Sequence, residues 1–175
     1  MRELKNKITK KNKTDIYVMD TDIYQNHNKL KKYKIINSCC AFENRYEDNV
    51  EHGIGIASII AGKYYGLQIR NAKVFNGEET SAFNIIKAIN CLLKKLNRKK
   101  ISIINISFEK DSSKILDHAF KRILNTINNV IIVAAAGDDG NKKNACHLLS
   151  AHLQNQFGNV ANVGAINKKG KIVSF

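Results

Sequence analysis

Asp20 and His52 are the two residues whose types and setting point most directly to chemistry. Asp20 ends the apolar run Asp15-Ile16-Tyr17-Val18-Met19-Asp20, and His52 opens the apolar segment His52-Gly53-Ile54-Gly55-Ile56-Ala57-Ser58-Ile59-Ile60-Ala61-Gly62. A carboxylate at a strand end and an imidazole at a helix start are two of the three parts of an acyl-transfer triad. The aspartate would hold the imidazole in one tautomer, and the imidazole would move a proton to and from a nucleophile. Alone, each residue also fits a plainer role: a turn carboxylate and a helix-end histidine.

The elements that must position these residues are legible from the hydrophobic pattern. Asp15–Asp20, Lys34–Ser38, Ala72–Phe75, Ile101–Ser107, Val130–Ala136 and Asn159–Ile166 read as strands. His52 onward reads as a helix. Thr80–Leu96 carries Phe83, Ile86, Ile89, Leu93 and Leu96 at helical spacing, and Ser112–Ile127 carries Ile115, Leu116, Ala119, Ile123 and Ile127. The strands read as apolar throughout and alternate with helices. That combination predicts an α/β fold of three layers, a mostly parallel sheet with helices on both faces. Sites in such folds lie beyond the carboxyl ends of the strands, where Asp20, Ser107 and Asp138 fall. Ile172–Phe175 reads as the start of one more element.

Composition bounds the rest. The chain has 175 residues, 43% hydrophobic, enough for one domain with a sizeable core. The net charge of +14 would suit an anionic partner, but the cations are spread along the chain, with one dense run at Lys5–Lys13. No aromatic residues interleave with that run, so a nucleic-acid-binding module is the weakest of the functional readings. Residues 1–14 read as a basic flexible leader. No secretory signal and no apolar run of membrane-spanning length is visible, which places the expectation in the cytoplasm with no membrane partner. The four cysteines, Cys39, Cys40, Cys91 and Cys146, form no C-x-x-C pair, so the expectation is reduced, buried thiols and no metal site. Asp22 beside Asp20 reads as a turn carboxylate, and His147 with His152 as packing or surface residues.

Three motifs occur in order: Tyr17-Val18-Met19-Asp20-Thr21-Asp22-Ile23 with His27 after it; Glu51-His52-Gly53 through Ala61-Gly62 with Tyr65-Gly66; and Val133-Ala134-Ala135-Ala136-Gly137-Asp138-Asp139-Gly140 with Val163-Gly164-Ala165. Together, over residues 15–175, they resemble the subtilisin-like serine peptidases, in particular the proteinase-K-like branch. The resemblance implies an endopeptidase acting by Ser-His-Asp acyl transfer on polypeptide substrates. It implies Asp20 as the triad aspartate, His52 as the general base, and Gly53 as a point of close approach. Ser107, Phe108 and Glu109 would pair with the substrate backbone and wall the primary pocket, with Ala135 and Gly137 on its other side. Asp138 would occupy the oxyanion position, His27 a structural one, and Cys146 a structural cysteine position. Calcium enters only through the resemblance, with no ligands matched.

The chain departs from the family pattern at several places. Asp22 stands where glycine is usual, and Gly55 replaces the second histidine of the helix motif. Phe108-Glu109-Lys110 replaces leucine and two glycines, and Asp138 replaces an asparagine. An ionised carboxylate at that last position repels an oxyanion, and losing the donor costs roughly 10²–10³ in rate. No Gly-Thr-Ser-Met-Ala-like nucleophile segment follows Gly140, and Ser150 and Ser174 lack its glycine turn. The expectation is a partial peptidase domain, its C-terminal part missing, inactive alone and completed by a C-terminal chain. The alternative is a non-catalytic remnant that binds peptide or a partner.

Overall fold

Six short segments, each carrying at least one Ile or Val, extend into strands that a parallel sheet can bury. A computed structural model describes residues 14–43, 50–63, 68–137 and 148–171. The strands are β1 (Asp15–Asp20), β2 (Lys34–Cys40), β3 (Gln68–Lys73), β4 (Ser102–Ile106), β5 (Val130–Ala135) and β6 (Val160–Val163). All pair in parallel, in the order β2-β3-β1-β4-β5-β6. The helices are α1 (His52–Lys63), α2 (Ala82–Lys95), α3 (Lys114–Thr126) and α4 (Leu149–Gln154).

After β1 the chain builds one side of the sheet, and from β4 on it builds the other. The loops leaving β1 and β4 therefore part, and a crevice opens at their carboxyl ends. α2, α3 and α4 cover one face over a core that includes Tyr17, Ile89, Leu92, Phe120, Ile123 and Leu153. Ser81 and Ser113 start the two longer helices by accepting from the N–H groups of Asn84 and Leu116.

α1 covers the other face through Ile54, Ala57 and Ala61, which pack with Ile16, Val18 and Ile69. The cover stops midway. Ile69, Ile16, Ile103 and Ile131 form one register row across β3, β1, β4 and β5. Ile69 is 1% exposed, Ile16 8% and Ile131 38%. Val163 on β6 and Ile59 on α1 are also exposed.

Several sequence expectations need correction. β3 is Gln68–Lys73, ahead of the expected Ala72–Phe75. The strands are not apolar throughout: Asn71 and Lys73 are buried in β3, and Ser38 in β2. The buried face of α2 is Ile85, Ala88, Ile89 and Leu92, so Phe83 points to solvent, as does Ile115 on α3. Both misplaced residues stand in the first turn of their helices but off the buried stripe, which begins at Ile85 in α2 and at Leu116 in α3. α4 was not foreseen. Its six residues are too few for a periodic signal.

The cysteine expectation also fails. Cys39 on β2 and Cys91 on α2 form a disulfide, with Cα atoms 5.9 Å apart, and Cys40 is a half-buried thiol outside the disulfide. A structural disulfide is the usage of oxidising compartments, so the cysteines give no ground for a reducing one. The expected leader, the Tyr65-Gly66 pair, Asp138, Asp139, Cys146, His147 and the element at Ile172–Phe175 lie outside the described residues.

Candidate functional site

Asp20 is the last residue of β1, the strand that pairs with β3 on one side and β4 on the other, and it is buried. Its Oδ1 accepts the Thr21 N–H at 2.7 Å and lies 2.7 Å from His52 Nδ1. The Nδ1–H of His52 is therefore directed at the carboxylate, which leaves Nε2 as the nitrogen able to exchange a proton elsewhere. The His52 side chain is 49% exposed against 1% for Asp20, so the pair has a buried orienting end and an open working end.

The loop after β1 brings the two residues together. Thr21 Oγ1 accepts the Gly53 N–H at 2.8 Å and so satisfies one of the open donors of the first turn of α1. The fit is close: a Cβ on Gly53 would lie 2.6 Å from the Asp22 carbonyl oxygen and 3.0 Å from Thr21 Oγ1. Only glycine allows this approach, and the approach sets His52 against Asp20. Glu51, in a left-handed conformation at φ 58°, turns the chain into the helix, and its carbonyl accepts the Gly55 N–H at 3.0 Å.

Asp22 is buried and structural in its contacts. Its Oδ1 accepts the Ile23 N–H at 2.8 Å and the side-chain amide of Asn71, which also donates to Asn37 Oδ1 at 3.3 Å. This ladder ties the loop after β1 to β3 and β2. His27 makes a weaker tie, its Nδ1 accepting the Lys29 N–H at 3.4 Å.

A cleft of about 270 Å³ adjoins the pair, lined by Asp20, Thr21, Val50, His52, Phe75, Gly77, Glu78, Ser107 and Phe108. Ser107 and Phe108, singled out from the sequence, do reach it. Phe75 and Phe108 stack edge to face with centroids 5.1 Å apart. Glu109 and Ala135 line a separate, tighter crevice between the ends of β4 and β5, together with Phe108, Leu148, Leu149 and Ser150. Gly137, at φ 91°, closes against it: a Cβ there would lie 2.6 Å from Leu148 Cδ1 and 2.9 Å from Glu109 Oε2. The two substrate walls expected from the sequence thus face each other, with the Glu109 side chain between them. Ser107 Oγ donates to Asn105 Oδ1 at 3.0 Å.

Thr21, Phe75 and Glu78 were not anticipated. Thr21 adjoins Asp20 and could have been weighed as a cap for α1. Phe75 and Glu78 come from the connection between β3 and α2, and only strand order brings that loop beside His52. No serine among the described residues hydrogen-bonds to His52. Among the described residues no three His, Cys, Asp or Glu side chains converge, and no helix is long and apolar enough to cross a membrane.

The chain is 29% identical over 131 residues to a subtilisin-like protease of Coccidioides posadasii and, equally, to subtilisin-like protease 2 of Trichophyton rubrum. These matches cover 71% of this chain but 32% and 31% of those proteins. The chain thus spans about a third of the length of the curated relatives it matches. Among solved structures, a cold-adapted subtilisin-like serine proteinase superposes with a TM-score of 0.77 at 20% identity, covering 93% of this chain and 58% of that one. The prenylagaramide maturation protease PagA gives 0.69 at 24% identity, covering 93% and 57%. The family model described as the subtilase family matches residues 11–175, and the chain belongs to that family of subtilisin-like serine peptidases.

Proposed function

We propose that this chain carries the acid–base half and the substrate cleft of a serine endopeptidase site, with the nucleophile supplied by polypeptide outside residues 1–175. The observation that carries the reading is the His52–Asp20 pair, oriented through Nδ1 and open to a cleft at the carboxyl ends of β1 and β4. In the reaction, His52 Nε2 takes the proton of a serine hydroxyl as its oxygen attacks the scissile carbonyl. The same nitrogen then returns that proton to the leaving amine as the peptide bond breaks. Asp20 holds the ring and stabilises the imidazolium. Ser107, Phe108, Glu109, Ala135 and Gly137 are the residues assigned to the substrate, and Asp138 is assigned to the oxyanion position.

The half-covered sheet supports a complementing segment. Parallel sheets are buried on both faces, yet at the β5–β6 end of the face that α1 covers, Ile131 and Val163 are exposed. A helical segment with an apolar face, docked there beside α1, would bring a serine at its start toward His52. The test begins with the nucleotide sequence beyond the codon for Phe175 and in neighbouring genes. A Gly-Thr-Ser-Met-Ala-like segment from there, co-produced with this chain, should confer labelling by a fluorophosphonate probe, and His52→Ala should abolish it. Labelling of the 175-residue chain alone would refute the divided site. A correctly assembled pair that does not label leaves the peptide-binding reading, in which the cleft holds peptide without cleaving it.

A further inference from the structure

A second Ser-His-Asp group lies behind the tight crevice, where no role has been assigned. Ser112 Oγ donates to Asp117 Oδ1 at 2.9 Å and lies 2.8 Å from His152 Nδ1, while Asp117 Oδ2 lies 3.3 Å from the same nitrogen. Serine and aspartate thus share one imidazole nitrogen. In a working triad they occupy opposite nitrogens, so this group cannot relay a proton from serine to histidine. It can hold His152 in the Nδ1–H tautomer, with that hydrogen directed at the Ser112 and Asp117 oxygens.

What the group holds is α4. This helix has six residues and no side-chain cap, and such a helix does not persist without tertiary ties. Its first turn is tied to both walls of the crevice: the Leu149 N–H donates to the Lys110 carbonyl at 3.1 Å, and Ser150 Oγ donates to the Ala135 carbonyl at 3.1 Å. Leu148 bridges to Asp111. Its last turn is tied by His152 to Asp117 on α3 and to Ser112 just ahead of it. We propose that Ser112, Asp117 and His152 are positioning residues for substrate: they pin α4 and thereby set the separation of the Glu109 and Gly137 walls. The proposal rests on the peptidase reading for what enters the crevice, but the pin itself can be tested without it.

The experiment follows amide hydrogen exchange in the full chain and binding of a fluorescein-labelled Ala-Ala-Ala-Phe peptide. His152→Ala should speed exchange at the Leu149 amide on the order of tenfold, as expected for losing one or two hydrogen bonds, with the α1 amides unchanged. Peptide affinity should fall by a similar factor, again about tenfold. His152→Asn, which keeps a donor near Nδ1, should restore most of both. The ¹⁵N resonances of His152 should show Nδ1 as the protonated nitrogen in the wild type. Equal acceleration in α1, or no rescue by asparagine, would reduce the group to general stability and overturn the proposal. Unchanged exchange at Leu149 would overturn it directly. If the wild type binds no peptide while the exchange results hold, the peptidase reading fails and the pin stands.

Discussion

Replacing Gly53 by alanine should destabilise the protein, although it removes a glycine from a helix. The ordinary expectation is a gain of about 0.5–1 kcal/mol, because glycine loses more backbone freedom on folding. Here the new Cβ would lie 2.6 Å from the Asp22 carbonyl oxygen, about 0.8 Å inside the 3.4 Å at which ordinary contact begins. That atom is backbone, in a loop held by the Asn71 amide, so the helix start must move instead. A shift of about 0.8 Å takes both the His52–Asp20 contact and the Gly53–Thr21 bond to roughly 3.5 Å, where hydrogen bonds are largely lost. Each is worth about 1 kcal/mol net, the first discounted because His52 is half exposed. The balance is a loss of about 0.5–1 kcal/mol. Gly55 and Gly62, in the same helix, have nothing within 4 Å of an added Cβ and should each gain about 0.5 kcal/mol as alanine. Urea unfolding of the three variants measures the contrast. A Gly53→Ala variant as stable as Gly55→Ala would refute the close-approach argument and, with it, the account of how His52 is placed.

The Cys39–Cys91 disulfide, across a sequence separation of 52, should contribute about 4 kcal/mol by loop closure; Cys91→Ser should lower the melting temperature while leaving the His52–Asp20 contact intact. Loss of that contact in the nuclear Overhauser pattern would show that β2 and α2 shape the site more than the geometry indicates. Burial raises the Tyr17 phenol above its ordinary 10.0, with Arg70 opposing and Asp15 adding to the rise. The folded state therefore keeps the proton that the unfolded chain releases. This contribution is intact below pH 10.0 and is lost as pH climbs toward the folded value. Tyr17→Phe should flatten the alkaline fall in stability relative to wild type, and identical slopes above pH 10 would contradict the burial argument.

The reach of the sequence differs from element to element. β1, β4, β5 and the start of α1 were legible because each is a dense apolar run bounded by a polar or glycine residue, and Asp20 and His52 stand at those bounds. α2 and α3 were legible as helices from their periodicity. The side chains that meet the core were less so, as Phe83 and Ile115 show, because periodicity marks the apolar side of a helix while tertiary packing decides which edge of it is buried. Cys39 and Cys91 could not be paired from spacing, since the pairing depends on α2 crossing behind β2. α4 left no signal, because its six residues are held by Lys110, Ala135, Ser112 and Asp117 rather than by its own composition.

By itself the sequence determined the alternating elements, the parallel sheet and the identity of the two residues at the strand end and the helix start. Strand order, which only the tertiary structure decided, placed β1 between β3 and β4 so that the crevice opens beside Asp20. Packing then did what composition could not. The Thr21 hydroxyl and the absent side chain of Gly53 bring the two elements to within 2.7 Å at Asp20 and His52. The loop carrying Phe75 and Glu78 walls the cleft, and half of one sheet face is left open. The physical reason is range. Hydrophobic periodicity acts within a segment, while a 2.7 Å contact between residues 20 and 52 is fixed by how separate segments pack.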